Sequence, residues 1–359
     1  MHTAAELAAH GCIVEILKMT MTSPSDALQT HLTEFLQTQS GQTVLITFAA
    51  PLAGGASRDM WRIDASFDGV PHTFVLRRDL PTQMVERALT REQEFAVMSA
   101  AHALGVKVAQ PRYLCTDPAV LGGAFFLMDW IDGIAIGRKV VNAPELAEAR
   151  RVLPDQLADQ LARIHRIDPA PFDFLPRSRA GLTPAQQAIT ETREALQALR
   201  VESPIFEFLL RWAERHAPPP SAITFIHGDF RIGNVMVNAA GLAAVADWEF
   251  CHVGDPAEEL GYLCMRDWRF GNGRMRLGGI GEREPFLRAY ESASGRSIDR
   301  AAVDWWELLG NIRWGAICLS QAERHLSGRD PSVELASLGR RSIEMQYEAL
   351  TMIERMGKA

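Results

Sequence analysis

The sequence predicts an α+β fold of two lobes, a small β-rich lobe followed by a larger, mainly helical one. Between residues 43 and 77, short segments rich in β-branched and aromatic residues alternate with glycine turns. After Gly133 helical patterns dominate, and one extended stretch from Ile223 to Trp248 interrupts them. This layout is typical of an enzyme whose active site lies in the cleft between two lobes.

Composition and charge exclude several classes of protein. The 359 residues are 47% hydrophobic and 23% charged, which is ordinary for a globular protein of about two domains. The net charge of −7 and the lack of a basic run argue against a nucleic-acid partner. The longest apolar stretch, Leu121–Met128, is far shorter than the ~20 residues of a membrane span. With five scattered cysteines and no signal-peptide pattern, we expect a cytoplasmic protein without a membrane partner.

We expect three regions along the chain: a helical segment at 1–39, the β-rich N-lobe at 40–132 and the helical C-lobe at 133–359. The apolar residues of the first region have helical spacing, and Gly41 follows its end. Asp68-Gly69 predicts a tight hairpin between two strands of the N-lobe. The predicted strands of this lobe are 43–48, 60–67, 72–77, 106–115 and 124–130.

The remaining elements are predicted to be helices, apart from a second hairpin. In the N-lobe we expect one helix at 85–104, which ends at Gly105. In the C-lobe we expect a hairpin of 235–237 and 243–246 around residues 238–241. The predicted C-lobe helices are 144–165, 185–199, 205–216 and a helical pattern from 283 to the end.

The candidate catalytic residues lie in one stretch of the sequence. It begins with His227-Gly228-Asp229 and continues with Asn234 and then with Asp247-Trp248-Glu249. Its polar residues stand in loops between apolar strands, and Asn234 follows Asp229 by the five residues of a kinase catalytic loop. Phosphoryl transfer requires a carboxylate for the acceptor's proton, and amide and carboxylate oxygens for a divalent cation. We therefore expect Asp229 to be the base, and Asn234 and Asp247 to bind Mg²⁺. The alternative is a set of turn and helix-cap residues.

This segment resembles the motif of the aminoglycoside phosphotransferase and choline kinase superfamily, which has a protein-kinase-like fold. Its continuation resembles one branch, the kinase-like domains fused to acyl-CoA dehydrogenases, and the resemblance covers about residues 40 to 350. The residues that carry this second resemblance are Gly254-Asp255-Pro256, Glu259-Leu260-Gly261 and Trp268-Arg269-Phe270-Gly271.

The resemblance implies a kinase that moves the γ-phosphoryl group of ATP or GTP to a hydroxyl of a small molecule with the help of Mg²⁺. The catalytic residues would be Asp229, Asn234 and Asp247. Two alternatives remain: a catalytically weak, kinase-like nucleotide-binding domain, and an aminoglycoside-type antibiotic kinase.

The N-lobe contains candidates for nucleotide binding. Gly54, Gly55 and Ser57 lie between two strands, where a loop that covers the nucleotide would be. Met128 and Trp130 lie in the expected hinge between the lobes, where they would be neighbours of the adenine. A purely structural role is the alternative for both side chains.

Arginine stands where such kinases usually have a strand lysine. Because side chains alternate along a strand, Arg77 is expected to face the nucleotide and Arg78 to face away. Arginine can hold a phosphate bidentately. The resemblance implies a helix carboxylate as the partner of Arg77, and we expect it to be Glu94, with Glu92 as the second choice.

The acceptor is expected to bind beside the catalytic loop, against C-lobe helices. An aromatic and arginine-bearing wall would suit an anionic or acyl-CoA-like acceptor better than a polycationic aminoglycoside. In the alternative interpretation, the tryptophans belong to the core and the arginines are solvated. The candidate residues are Arg231, Glu249, Trp268, Arg269, Arg313 and Trp314.

Overall fold

The computed structural model describes residues 24–52, 59–79 and 88–357. The predicted loop residues Gly54, Gly55 and Ser57 therefore lie outside the described residues, as do residues 1–23 of the predicted N-terminal helical segment and residues 85–87 of the predicted N-lobe helix. The chain divides into two compact units, Met1–Phe95 with Gln110–Trp130, and Ala96–Ala109 with Ile131–Ala359.

The first unit is built on a five-stranded antiparallel sheet with the strand order β1-β2-β3-β5-β4. Asp68 and Gly69 form the turn between β2 and β3, and both have positive φ (48° and 86°), as the sequence predicts for a two-residue hairpin. The elements are α1 (Pro24–Ser40), β1 (Val44–Pro51), β2 (Asp59–Phe67), β3 (Val70–Arg78), β4 (Pro111–Cys115), α3 (Pro118–Leu121) and β5 (Phe125–Asp129).

One face of this sheet is covered by α1. Leu32 and Leu36 of the helix are fully buried against strand residues that include Phe74 and Leu76 of β3. Because side chains alternate along a strand, Val75 and Arg77 point to the opposite face. The hydrophobic core of the unit therefore fixes the register on which the expected role of Arg77 depends.

Helix α2 (Arg91–Ala103) is shorter than the predicted helix at 85–104. Residues 88–90 are not helical, and Thr90 and Gln93 exchange hydrogen bonds between side chain and backbone at its N-terminus. The prediction of its start was wrong for 88–90, because apolar spacing alone continues past a capping interaction. Gly105 follows the end, as predicted, with φ of +72°.

The second unit is mainly helical and carries two short antiparallel strand pairs, β6 with β9 and β7 with β8. The elements after Trp130 are α4 (Gly137–Asn142), α5 (Ala147–Ile164), α6 (Pro184–Ala198), α7 (Pro204–Arg215), β6 (Thr224–Ile226), β7 (Val235–Asn238), β8 (Gly241–Val245), β9 (His252–Gly254), α8 (Pro256–Leu263), α9 (Arg283–Ser294), α10 (Arg300–Leu326), α11 (Val333–Leu338) and α12 (Arg341–Arg355).

The expected hairpin around residues 238–241 is present as β7 and β8. Four elements were not predicted, namely β9, α8, α3 and α4. The first has only three residues, and α8 has eight residues with buried carboxylates among its apolar ones. A short element of this kind has no clear hydrophobic period in the sequence.

Two further observations concern the part of the chain that the structure describes. Its cysteines, Cys115, Cys251, Cys264 and Cys318, are buried thiols that form no disulfide with one another, whereas Cys12 lies outside the described residues. None of its helices has the length and hydropathy needed to cross a lipid bilayer.

Candidate active site

The loop between β6 and β7 carries Asp229, and its backbone requires glycine at one position. Gly228 has φ of +88°, and a Cβ there would lie 2.1 Å from the backbone oxygen of Phe250. Strand β6 is wholly buried and pairs with β9, so the loop begins from a fixed point. The His-Gly-Asp order thus places a turn that requires glycine directly before the carboxylate.

The side chain of His227 ties this loop to the segment that contains Asp247. His227 is fully buried, and its Nδ1 accepts a hydrogen bond from the Asp229 backbone N–H at 3.3 Å. Its Nε2 lies 3.1 Å from the Ala246 carbonyl oxygen and donates to it. Burial lowers the pKa of His227. The neutral imidazole can therefore accept at one nitrogen and donate at the other.

Three side chains donate hydrogen bonds to the Asp229 carboxylate. Tyr262 Oη donates to Oδ1 at 2.8 Å, and Arg231 Nε donates to the same oxygen at 3.1 Å. Asn234 Nδ2 donates to Oδ2 and also, at 3.0 Å, to the Asp229 carbonyl oxygen. The Asp229 side chain remains 15% exposed. The predicted base is thus held on both oxygens and is still accessible.

Asn234 and Asp247 lie on adjoining segments. The Ala246 N–H donates to the Asn234 carbonyl oxygen at 2.9 Å, which fixes the residue before Asp247 against the catalytic loop. Asp247 has a left-handed backbone, with φ of 62° and ψ of 63°. Aspartate tolerates this conformation better than most residues. The backbone of both predicted metal ligands is therefore well defined.

The carboxylate of Glu259, which was not predicted to be a site residue, binds the backbone of the loop that carries Asp229. Glu259 of α8 accepts from the backbone N–H of His227 at 3.1 Å and of Gly228 at 3.0 Å. His165 Nε2 bonds to the same carboxylate at 2.9 Å, and Tyr290 bonds to His165 Nδ1 at 2.7 Å. Burial opposes ionisation of Glu259, but the hydrogen bond and charge of His165 outweigh it and lower the pKa of Glu259.

Three of the expected acceptor residues cluster beside Asp229. The Arg231 guanidinium lies 4.7 Å from the ring centroid of Trp268. The Trp268 ring lies 5.0 Å from that of Trp314 and 5.5 Å from that of Tyr262. We call Arg231, Tyr262, Trp268 and Trp314 the aromatic cluster. Tyr262 was missed because an isolated tyrosine gives no signal in a sequence.

Arg313 forms an ion pair with Glu258 on α8. Arg313 Nη1 lies 2.6 Å from Glu258 Oε1, and His252 Nε2 lies 3.2 Å from Glu258 Oε2. Burial opposes ionisation of Glu258, but the charges of His252 and Arg313 lower its pKa to about 2. Burial alone would lower the pKa of His252, yet the charge of Glu258 raises it.

The other two expected acceptor residues, Arg269 and Glu249, are buried. All three guanidinium nitrogens of Arg269 are bonded to the chain itself, to Glu307 and to the carbonyl oxygens of Cys264 and Gly273. These contacts give Arg269 a structural role. Glu249 is buried in the short 3₁₀ turn Trp248–Phe250.

In the first unit, Arg77 and Glu94 form a buried ion pair. Arg77 Nη2 lies 3.2 Å from Glu94 Oε1, and the two side chains are 4% and 0% exposed. Arg91 also contacts the Glu94 carboxylate, and its Nε lies 2.9 Å from Asp79 Oδ1. Glu92, the second choice for the partner, is exposed.

Arg78 points to the other face of the sheet, as its register requires. It pairs with Asp59, and its Nη1 donates to the Leu121 carbonyl oxygen at 2.6 Å. Of the hinge candidates, Met128 pairs with Val75 in the sheet. The Trp130 ring lies 5.0 Å from the guanidinium carbon of Arg62.

Relatives of this chain are found among larger proteins. Acyl-CoA dehydrogenase family member 10 of Mus musculus is 30% identical over 253 residues, which are 69% of this chain and 23% of that protein. Other curated relatives are also acyl-CoA dehydrogenase family members. The chain spans less than half the length of these relatives.

Solved structures share the fold over nearly the whole chain. A candidate aminoglycoside phosphotransferase from Ralstonia eutropha has a TM-score of 0.73 at 22% identity, and the alignment covers 91% of this chain and 98% of that one. Spectinomycin phosphotransferase, solved with ADP and spectinomycin, has a TM-score of 0.57 at 13% identity and covers 89% and 98%. These neighbours confirm the predicted two-lobed, kinase-like fold class.

The sequence pattern of the phosphotransferase enzyme family matches residues 49–306. This range includes strands β2 to β5 of the first unit and the segment that contains Asp229, Asn234 and Asp247. Family and neighbours together support a kinase-type phosphotransferase. The chain belongs to the phosphotransferase enzyme family, as its His-Gly-Asp motif led us to expect.

Proposed function

We propose that this chain transfers the γ-phosphoryl group of ATP or GTP to a hydroxyl of a small molecule, with Asp229 as the base. The observation that supports this most is the Asp229 carboxylate itself. It is accessible, it is bonded to the side chain of Asn234, and it stands on a loop fixed by His227 and Glu259. A binding module has no need for a carboxylate held in this way.

In the proposed reaction, the acceptor hydroxyl donates its hydrogen bond to Asp229. As the hydroxyl oxygen attacks the γ-phosphorus, its proton passes to the carboxylate and the bond to the β-phosphate oxygen breaks. Arg231 and Asn234 orient the carboxylate through their hydrogen bonds to it. Positioning of this kind supplies much of the rate in phosphoryl transfer.

Asn234 and Asp247 would hold Mg²⁺. Their donors are an amide oxygen and a carboxylate, the hard oxygen ligands that Mg²⁺ takes together with substrate phosphates. No group of three His, Cys, Asp or Glu side chains in the described ranges could hold a metal, so the site would rely on this smaller set. Since Asn234 Nδ2 donates to Asp229, the amide oxygen is the atom left for the cation. Bound there, Mg²⁺ would neutralise charge on the phosphates.

Residues of the first unit would bind the nucleotide. Arg77 would contact the phosphates, and Glu94 would hold its guanidinium in place. Met128 and Trp130 would lie beside the base. The ADP in the spectinomycin phosphotransferase structure supports nucleotide binding by this fold.

For the acceptor, the aromatic cluster and Arg313 favour an alcohol with an apolar or flat body and an anionic group. Arg313 shares Glu258 with His252, so two cationic groups meet one carboxylate there. A polycationic aminoglycoside would instead require clustered carboxylates. Since the relatives are acyl-CoA dehydrogenase family members, an acyl-CoA-like alcohol is a reasonable first acceptor to test.

The second candidate function is a catalytically weak nucleotide-binding domain. The observation that favours it is Arg77, which replaces the usual lysine and is buried against Glu94. Both candidate functions predict nucleotide binding, but only the kinase predicts turnover of ATP with an acceptor.

The Asp229→Asn variant tests the proposed function. It should keep its affinity for Mg²⁺ and nucleotide yet lose turnover by ~10²–10⁴-fold, the usual effect of removing an acid–base group. Release of ADP from ATP is measured over pools of alcohols, hydroxyacyl-CoA esters included. Equal turnover in the variant and the wild type would remove Asp229 from this role. Nucleotide binding without turnover on any pool would favour the second candidate.

A further inference from the structure

The carboxylate of Asp229 already accepts a hydrogen bond from a hydroxyl group of the same chain. Tyr262 Oη donates to Oδ1 at 2.8 Å, an ordinary distance for an O–H donor. The acceptor of a phosphoryl group must present the same donor, a neutral O–H, to the same carboxylate. The phenol of Tyr262 therefore makes the same hydrogen bond to Asp229 that the hydroxyl of an acceptor would make.

The other donors to Asp229 do not fit this description. Arg231 is a cation, and its guanidinium lies over the Trp268 ring at 4.7 Å, which holds it in place. Asn234 donates to the other oxygen, Oδ2, and is tied to the loop by a second bond to the Asp229 carbonyl oxygen. Tyr262 comes from a separate element, α8, and its hydroxyl has this one hydrogen bond among those that the structure gives for the residue.

We propose that the Tyr262 hydroxyl occupies the position of the acceptor hydroxyl on Asp229 and is displaced when the acceptor binds. Tyr262 is then a specificity-determining residue, because it keeps water from the acceptor position when no acceptor is present. This inference rests on the proposed function, in which Asp229 takes the acceptor's proton.

Removal of the hydroxyl alone should let water take its place. In Tyr262→Phe the ring can keep its contact with Trp268, while the space of one oxygen beside Oδ1 becomes available. The oxygen of that water would attack the γ-phosphorus of ATP, its proton would pass to Asp229, and the bond to the β-phosphate oxygen would break. The products are ADP and inorganic phosphate.

The test is the rate of ADP and phosphate release from ATP with Mg²⁺ in the absence of any acceptor. We expect Tyr262→Phe to hydrolyse ATP several-fold faster than the wild type. The double variant Tyr262→Phe/Asp229→Asn should lose that increase, because the proton has no base to go to. Tyr347→Phe is the matched control: Tyr347 is 65% exposed on α12, and its loss of a hydroxyl should leave hydrolysis unchanged.

Calorimetry with Mg²⁺ and the analogue AMP-PNP separates failure of this inference from failure of the proposed function. A folded wild type that binds no nucleotide contradicts the proposed function. Equal nucleotide affinity in wild type and Tyr262→Phe, with hydrolysis no faster in the variant, overturns the role of Tyr262. Should Tyr262→Phe fail to fold, Tyr262→Leu lacks the same hydroxyl and must show the same increase.

Discussion

At the scale of single residues, the site is a carboxylate whose orientation is fixed by its neighbours. Asp229 receives three side-chain donors, and its own backbone N–H is bonded to the neutral imidazole of His227. His227, Arg231 and Asn234 belong to the same loop as Asp229, whereas Tyr262 comes from α8. Substitution of any one of them should therefore alter how the carboxylate meets its acceptor, and only Asp229 itself should be essential for proton transfer.

Arg77→Ala should weaken nucleotide binding by roughly ten- to a hundredfold. The variant would lose the proposed charge-assisted contact to phosphate, and such a contact is generally worth ~1.5–3 kcal/mol. Arg77→Lys should also bind more weakly than the wild type, because lysine keeps the charge but cannot contact Glu94 and a phosphate with a planar fork. Both affinities are measured by titration with Mg²⁺ and AMP-PNP.

Arg78→Ala is the control for this prediction. Arg78 pairs with Asp59 on the opposite face of the sheet, so its removal can cost stability but should leave the nucleotide affinity unchanged. If affinity followed Arg78 and ignored Arg77, the face of the sheet that binds nucleotide would have been assigned wrongly.

At the scale of elements, one short helix organises the site. Helix α8 supplies Glu258 to Arg313, Glu259 to the catalytic loop and Tyr262 to Asp229. The helix lies close against α10, because a Cβ at Gly261 would be 2.6 Å from the Glu307 backbone nitrogen. Glycine at this position therefore lets α8 approach α10 and carry its three side chains to their partners.

The ion pair between His252 of β9 and Glu258 of α8 predicts a pH dependence of stability. The pKa of His252 is raised in the folded protein, so its contribution is fully present below the unfolded value of ~6.5 and is lost as pH rises through the folded value. His252→Gln keeps the size of the side chain but not the charge. The free energy of unfolding should fall most in this variant at mildly acidic pH, and the difference from wild type should shrink in alkaline buffer.

Urea denaturation across this pH range measures the effect. His102→Gln, which changes an exposed histidine on α2, is the matched control and should show no such pH-dependent difference. A difference for His252→Gln that grows as pH rises would mean that His252 is neutral in the folded protein and that Glu258 is held by Arg313 alone.

The elements with a clear local signal were predictable from sequence. Asp68-Gly69 predicted one hairpin and the strand pattern around residues 238–241 predicted another. Side-chain alternation selected Arg77 over Arg78, and the resemblance to kinases implied a helix carboxylate, expected to be Glu94, as its partner. Glu259 and Tyr262 were not predicted as site residues. Their contacts join residues 31 to 33 positions apart through the packing of α8, and packing over such distances leaves no periodic pattern in a sequence.

At the scale of the whole molecule, each compact unit holds one part of the proposed machinery. The sheet unit contains Arg77 and Glu94 for the nucleotide, and the helical unit contains Asp229, Asn234 and Asp247. The central claim is that Asn234 and Asp247 of the helical unit bind Mg²⁺ together with a nucleoside triphosphate for transfer. It requires that a residue of the helical unit controls the affinity for the metal–nucleotide complex.

Calorimetry of wild type and Asp247→Asn with Mg²⁺ and AMP-PNP tests this claim most directly. We predict that the wild type binds one equivalent of the metal–nucleotide complex. The variant, folded to the same thermal stability, should bind it at least about tenfold more weakly. Loss of a residue that only hydrogen-bonds to a metal ligand typically weakens metal binding about tenfold, and Asp247 would be a ligand itself. Undiminished affinity in Asp247→Asn, or a folded wild type that binds no nucleotide, would contradict the account.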